Sequence, residues 1–155
     1  SCAGAMHAML KACWNDCQLH VQLPSATDYL LHGKRVVDQI PRGCRFKIGM
    51  TCSPKERFYE GPYAYANSSM QRRDKVNYQG MIIFYVHRSQ QIVSMVEHCM
   101  IDHALRVYFW QCANKRRDLD TYERFGLSSS EDEQCDTGVV YSCYVAYGYG
   151  LPLQG

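Results

Sequence analysis

Residues 44–60, which read CRFKIGMTCSPKERFYE, decide the predicted fold. Apolar and polar side chains alternate from Arg45 to Thr51, as expected for a strand with one buried face. We predict that this strand forms a hairpin with residues 34–40, because the Pro-Arg-Gly sequence at 41–43 favours a turn. The apolar face of the strand consists of Phe46, Ile48 and Met50.

The second half of the same stretch predicts a short helix that begins after Ser53. Pro54 suits the first helical position, and Glu56 completes a Ser-x-x-Glu capping box. Arg57 then lies about one turn into the helix, where its guanidinium fork fits two phosphate oxygens. Gly49 has no side chain, so we expect it to leave the strand surface open to a ligand.

The rest of the sequence predicts further helices and strands around this stretch. Residues 2–19 and Ser89–Trp110 repeat apolar side chains at the three- and four-residue steps of a helix. Met81–Val86 is a continuous apolar run that suits a buried central strand, and Val139–Tyr147 alternates like a final strand. We therefore predict one α/β (α+β) domain over residues 1–155, with a small, mostly antiparallel central sheet of three to four strands flanked by helices.

Glu97 stands out in the predicted long helix because it lies within the apolar arc. An ionised carboxylate without a partner is costly in a protein core, so Glu97 needs one. One candidate is an arginine in a structural salt bridge, and the other is a divalent metal ion. Magnesium takes one or two carboxylates and completes its coordination shell with water and phosphate oxygens.

The charge of the chain gives a weaker indication of function. The net charge is +2, which is too small to indicate nucleic-acid binding by itself, but cations cluster within 42–57, 72–75 and 115–117. Such clusters can leave one face basic enough to hold a phosphate backbone; ordinary solvated surface is the alternative for each. We expect no membrane contact, because no apolar run is long enough to span a bilayer. The first residues do not resemble a signal peptide, and a signal already removed stays an open alternative.

Nine cysteines are a high count for 155 residues. No CxxC pair occurs, so a zinc ribbon is not indicated. Two groups, Cys13-Cys17-His20 and Cys99-His103, have the spacing to share a helix face as metal ligands, although small thiols are also common in cores. Disulfides in a secreted chain are a further alternative, so the redox compartment and the localisation stay open.

The order of strands and helices, with Arg57 and Glu97 in place, resembles the GIY-YIG nuclease superfamily, in the KIG-type branch found in phage and mobile-element proteins. In that family a strand of the YIG type is followed by a threonine, by a helix with an invariant arginine, and by a later helix with a metal-binding glutamate. Lys47-Ile48-Gly49 matches the YIG half, Thr51 the threonine, Arg57 the arginine and Glu97 the glutamate.

The resemblance covers roughly residues 34–110. Residues 1–33 are then an N-terminal helical extension, and residues 111–155 are a C-terminal loop with an added strand. The chain departs from the family in its tyrosines. The expected hairpin partner, Lys34–Ile40, contains no tyrosine, and Lys47 replaces the tyrosine of YIG.

The resemblance implies hydrolysis of a phosphodiester bond in DNA, or in RNA. Glu97 would hold one Mg²⁺ or Mn²⁺ ion, Arg57 would bind the scissile phosphate, and Lys47 or Tyr59 would help to align water. The expected substrate-binding residues are Arg45, Gly49, Thr51, Arg72 and Arg73.

Two other functions are also compatible with the sequence. Because the family tyrosines are missing, the chain could be a nucleic-acid-binding domain on the same scaffold that no longer catalyses cleavage. The cysteine count and the absence of Met at position 1 favour a disulfide-stabilised secreted effector that acts through protein contacts.

Overall fold

The structure is a computed structural model, and it describes residues 4, 8, 11, 13, 16–25, 28–119 and 138–152. Within these residues the chain has an α+β fold with a mixed four-stranded sheet, which confirms the predicted fold class. The elements are β1 (Leu19–Val21), α1 (Tyr29–Asp38), β2 (Cys44–Thr51), α2 (Pro54–Tyr59), α3 (Ser68–Asp74), β3 (Val76–His87), α4 (Gln90–Val107), a 3₁₀ helix (Arg116–Leu119) and β4 (Tyr141–Gly150).

The strands lie in the order β1-β3-β4-β2. β1 runs parallel to β3, and β4 pairs antiparallel with both β3 and β2. β4, the last strand in the sequence, therefore lies between two strands that come earlier in the chain. The sheet is mostly antiparallel, as predicted.

Apolar side chains are buried on both faces of the sheet, so each face carries its own core. The first core joins α1 and α4 to one face through Val36, Phe46, Phe84, Val96 and Met100, all of which are fully buried. The second core covers the other face with residues of α2 and α3 and the segment between them, including Phe58, Tyr65 and Met70. In the described ranges no helix is both long and apolar enough to cross a bilayer.

The prediction of a strand at Lys34–Ile40 is wrong, since these residues lie mostly in helix α1. The adjacent valines Val36 and Val37 suggested a strand, but both are buried on the sheet-facing side of the helix. Asp28 begins the helix, and its carboxylate accepts a hydrogen bond from the Leu31 amide at 2.9 Å. The predicted hairpin is therefore absent, and the antiparallel partner of β2 is β4.

Other predicted elements are present with shifted ends. The predicted helix Ser89–Trp110 is α4, and Ser89 caps it by accepting a hydrogen bond from the Ile92 amide at 3.3 Å. Met81–Val86 lies within the longer strand β3, and Val139–Tyr147 overlaps β4.

Two details differ from the predictions, one at the start of α2 and one at the start of the chain. The Ser53 side chain does not cap α2; instead, the Thr51 hydroxyl accepts a hydrogen bond from the Ser53 amide at 3.0 Å. Within the predicted helix 2–19, Gly4, Ala8, Lys11 and Cys13 are helical, but β1 begins at Leu19. The other residues from 2 to 15 lie outside the described part of the chain.

Candidate functional site

A cavity of about 360 Å³ lies along β2 and brings together five of the sequence-predicted site residues. Lys47 and Gly49 come from β2, Arg57 from α2, Arg73 from α3 and Glu97 from α4. Elements from both faces of the sheet thus meet at this strand. Arg57 and Glu97 both line this cavity.

Arg57 is held at the cavity by two of its nitrogens. Nε donates to the Tyr144 hydroxyl at 3.3 Å, and Nη1 donates to the Tyr63 carbonyl oxygen at 3.0 Å. The guanidinium carbon lies 5.2 Å from the centroid of the Tyr65 ring, so the charge also rests over an aromatic face. Among the described residues no carboxylate pairs with this guanidinium, so its charge is not neutralised there.

Tyr144 brings to the site the tyrosine that residues 34–40 lack. It lies on β4 directly opposite Gly49 of β2. A Cβ atom on Gly49 would come within 2.3 Å of the Tyr144 hydroxyl, so the glycine makes room for the tyrosine ring. This corrects the expectation that Gly49 leaves the strand surface open to a ligand. A tyrosine-rich C-terminal strand was visible in the sequence, but its pairing with β2 was not.

Tyr65 and Tyr144 form a buried pair of phenols beside Arg57. Their hydroxyl oxygens are 2.7 Å apart, and each side chain is 1% exposed. Burial raises the pKa of both tyrosines above the ordinary value, and the Arg57 charge opposes this rise for each. Both side chains are therefore neutral phenols at physiological pH, suited to donating hydrogen bonds and to orienting Arg57.

Glu97 is 8% exposed, and within the described residues its carboxylate has no ion-pair partner. Burial first and the Asp118 charge second raise the pKa of Glu97 from 4.5 to about 7, and the Met50 amide hydrogen bond and the Arg57 charge oppose this rise. The structural salt bridge considered for Glu97 is therefore not formed with any described arginine.

Lys47 takes the position that the family resemblance gives to a tyrosine, and it is held by Asp74. Its Nζ lies 3.3 Å from Asp74 Oδ2, and the Tyr78 hydroxyl donates to the same oxygen at 2.7 Å. Burial lowers the pKa of Lys47, while the Asp74 carboxylate opposes this effect. The ion pair favours the ammonium form, which suits contact with a phosphate better than removal of a proton from water.

Asn114 and Asp118, which follow α4, complete the cavity and were missed in the sequence. Asn114 Oδ1 accepts from the Ile48 amide at 2.8 Å, and its Nδ2 donates to the Ile48 carbonyl at 2.8 Å. The asparagine side chain thereby pairs with β2 as a neighbouring strand would. Its polar context in the stretch after residue 113 resembled an ordinary loop, so no sequence signal singled it out.

Four predicted site residues are not in the lining of this cavity. The Tyr59 hydroxyl lies 2.7 Å from Asp16 Oδ1, and Arg45 donates to the Asp74 carbonyl oxygen at 3.0 Å. Thr51 uses its hydroxyl to accept the Ser53 amide, and Arg72 is exposed on α3. Tyr59 in particular is tied to the segment before β1, so Tyr144 and Tyr65 take the place at the site that was expected for it.

A single divalent cation such as Mg²⁺ or Mn²⁺ fits the chemistry of this cavity. Glu97 supplies a buried, unpaired carboxylate, and hard cations of this kind fill their remaining positions with water and substrate oxygens. The described part of the chain contains no group of three or more His, Cys, Asp or Glu side chains placed to hold a metal. The cysteine-histidine groups considered in the sequence therefore form no such centre among the described residues.

Two further features bear on the alternatives raised by the sequence. The seven cysteines that the structure describes are free thiols, while Cys2 and Cys135 lie outside the described residues. A larger cavity of about 730 Å³ lies beside α2 and residues 138–140. It is lined by Lys55, Glu56 and Glu60 but by none of the predicted site residues.

No protein-family model, curated protein or solved structure matches this chain. The fold is therefore described by its own elements, and the likeness to GIY-YIG nucleases stays a prediction that rests on the motif residues and where they lie.

Proposed function

We propose that this chain is a metal-dependent endonuclease that hydrolyses phosphodiester bonds in DNA, with RNA as the alternative substrate. The observation that carries the proposal is the position of Arg57 and Glu97, which come from α2 and α4 and line one cavity. An arginine fork and an unpaired carboxylate at one site suit a phosphate and the cation that neutralises it.

The charges around the cavity favour an anionic substrate. Of the three cations that line it, Lys47 and Arg73 each pair with Asp74 at 3.3 Å, whereas Arg57 forms no ion pair among the described residues. Because no described carboxylate neutralises Arg57, its charge suits a phosphate oxygen. A volume of about 360 Å³ is at the small end of ligand sites, which fits a phosphate group with part of its sugar.

The side chains divide the work of hydrolysis between them. A divalent ion on Glu97 would supply Lewis-acid stabilisation of the charge that develops on the phosphate oxygens. Arg57 binds a non-bridging oxygen of the scissile phosphate, and Tyr144 holds the guanidinium in place through Nε. Lys47, fixed by Asp74, adds a second positive charge on the same side.

The pairing of β2 with β4 supports a relation to the GIY-YIG family. In that family the YIG-type strand belongs to a hairpin, and the partner expected here lacked a tyrosine. β4 provides an antiparallel partner from the other end of the chain, and it places Tyr144 opposite the glycine of Lys47-Ile48-Gly49. The arrangement is consistent with the family site built by a different chain order.

A plasmid-nicking assay tests the proposal. We expect conversion of supercoiled plasmid to nicked or linear DNA with Mg²⁺ and none with EDTA. Arg57→Ala and Glu97→Gln should each lower the rate by about 100- to 1,000-fold, as loss of a charge-stabilising group does in other enzymes. Arg35→Ala on α1 and Glu60→Gln, both exposed and outside the cavity, are matched controls that should cut like the parent. Cleavage that persists in both site variants would contradict the proposal.

Binding without cleavage is the second candidate function. It is favoured by Lys47, which replaces a family tyrosine and is paired with Asp74, and by the burial of the Tyr144 hydroxyl against Arg57 and Tyr65. Fluorescence anisotropy with labelled duplex over a salt series separates the two functions, since the slope reports how many phosphates are engaged. A parent protein that binds DNA with a salt-dependent affinity but never nicks it would establish this second function.

A further inference from the structure

We propose that Asp118 is a second ligand for the divalent cation in this cavity, sharing it with Glu97. This inference rests on the proposed function, which gives the cation its role in hydrolysis. Both carboxylates line the same cavity. The 3₁₀ helix that contains Asp118 contacts α4 next to Glu97, where His98 Nδ1 lies 3.3 Å from the Leu119 carbonyl oxygen.

Asp118 is oriented through one of its two oxygens. Oδ2 accepts the Lys115 amide at 2.8 Å and the Asn114 side-chain nitrogen at 3.4 Å. No hydrogen bond to Oδ1 occurs within the described ranges, where only Oδ2 has donors. A carboxylate with one oxygen held by hydrogen-bond donors is typical of an oriented metal ligand.

The position of Asp118 is fixed relative to Glu97 through β2. Asn114 makes two hydrogen bonds to the backbone of Ile48, each at 2.8 Å, and it also donates to Asp118. Glu97 lines the same cavity beside Ile48 and Met50 of this strand. Asp118 is thus tied to β2 through Asn114, at the part of the strand that Glu97 adjoins.

Two of the cations that line the cavity, Lys47 and Arg57, form no ion pair with these two carboxylates. Arg57 donates to Tyr144 and Tyr63, and Lys47 pairs with Asp74. Among the described residues neither cation forms an ion pair with Glu97 or Asp118, although Glu97 is 8% exposed. Two neighbouring carboxylates repel each other, and a hard divalent cation that binds oxygen from both removes this repulsion.

Mn²⁺ binding in the absence of nucleic acid tests the inference, with electron paramagnetic resonance reporting the free ion. We expect the parent to bind one Mn²⁺ and Glu97→Gln to lose this site. Asp118→Asn should bind Mn²⁺ about 10- to 100-fold more weakly, which is the loss of affinity that removal of a residue supporting a metal ligand causes. Asp102→Asn is the matched control, because Asp102 is paired with Arg106 on α4 outside this cavity. It should bind like the parent.

Two results would overturn the inference: equal affinity of Asp118→Asn and the parent, or no Mn²⁺ bound by the parent. Urea unfolding checks that each variant is folded. If Asp118→Asn is not, Asp118→Ser keeps an oxygen for the Lys115 amide while removing the charge, and it should show the same weaker binding. The two proposals can fail separately. If the parent binds Mn²⁺ through both carboxylates but does not nick plasmid, the nuclease proposal is contradicted while the inference about the metal site stands.

Discussion

Replacing Glu97 with glutamine should stabilise the metal-free protein, and the gain should grow with pH. The pKa of Glu97 is about 7 in the folded protein against an ordinary value of 4.5. The folded state holds the Glu97 proton more tightly than the unfolded state does. As pH rises from about 4.5 to 7, the carboxyl therefore ionises in the unfolded chain first, and the free energy of unfolding falls. The pKa difference corresponds to about 3 kcal/mol. Glutamine cannot ionise, so Glu97→Gln avoids this loss.

Urea unfolding with EDTA at about pH 4.5 and pH 8 measures the effect. The difference in unfolding free energy between Glu97→Gln and the parent should shift by about 3 kcal/mol in favour of the variant between these two conditions. Glu60→Gln is the control, since Glu60 is exposed and lies outside the cavity. A Glu97→Gln difference that does not change with pH would refute the reasoning about its burial.

Three further substitutions test the packing and hydrogen bonds of the site. Gly49→Ala should lower the unfolding free energy by about 1–3 kcal/mol and slow nicking, because the new methyl group overlaps the Tyr144 hydroxyl. Tyr144→Phe should cost about 1–3 kcal/mol, because the buried Tyr65 hydroxyl loses its partner. Asn114→Ala should also cost about 1–3 kcal/mol and weaken Mn²⁺ binding, because the Ile48 backbone loses two hydrogen bonds. Urea unfolding measures all three.

Each of these variants has a matched control elsewhere in the chain. Gly43→Ala adds a methyl group with no heavy atom within 4 Å, Tyr149→Phe alters a side chain that is 61% exposed, and Asn77→Ala alters an exposed asparagine. We expect each control to stay within about 0.5 kcal/mol of the parent. A site variant that is as stable as its control would show that the corresponding contact does not support the cavity.

Local patterns in the sequence were sufficient to predict the elements that carry Arg57 and Glu97. Pro54 at the start of α2 and the apolar arc of α4 each depend on one element, so both could be recognised without knowing the fold. The prediction of a strand at residues 34–40 was wrong because two adjacent valines are locally typical of a strand. Their burial against the sheet follows a helical period that also includes Gly33 and Ile40.

The rest of the site depends on contacts between distant parts of the chain. Tyr144 reaches Gly49 only because β4 inserts between β2 and β3, a pairing across more than 90 residues that no local pattern specifies. Asn114 and Asp118 act through side-chain hydrogen bonds to Ile48 and to the chain after α4. Both roles depend on the position of β2 at the edge of the sheet, which the local sequence does not specify.

A crystal structure with Mn²⁺ and a short DNA duplex would test most directly whether Arg57 and Glu97 serve one phosphate and its cation. We expect an anomalous difference peak about 2.0–2.2 Å from a Glu97 carboxylate oxygen, with the same ion touching a phosphate oxygen that Arg57 also binds. A Mn²⁺ peak away from Glu97, or DNA bound with no phosphate within reach of Arg57, would contradict the account.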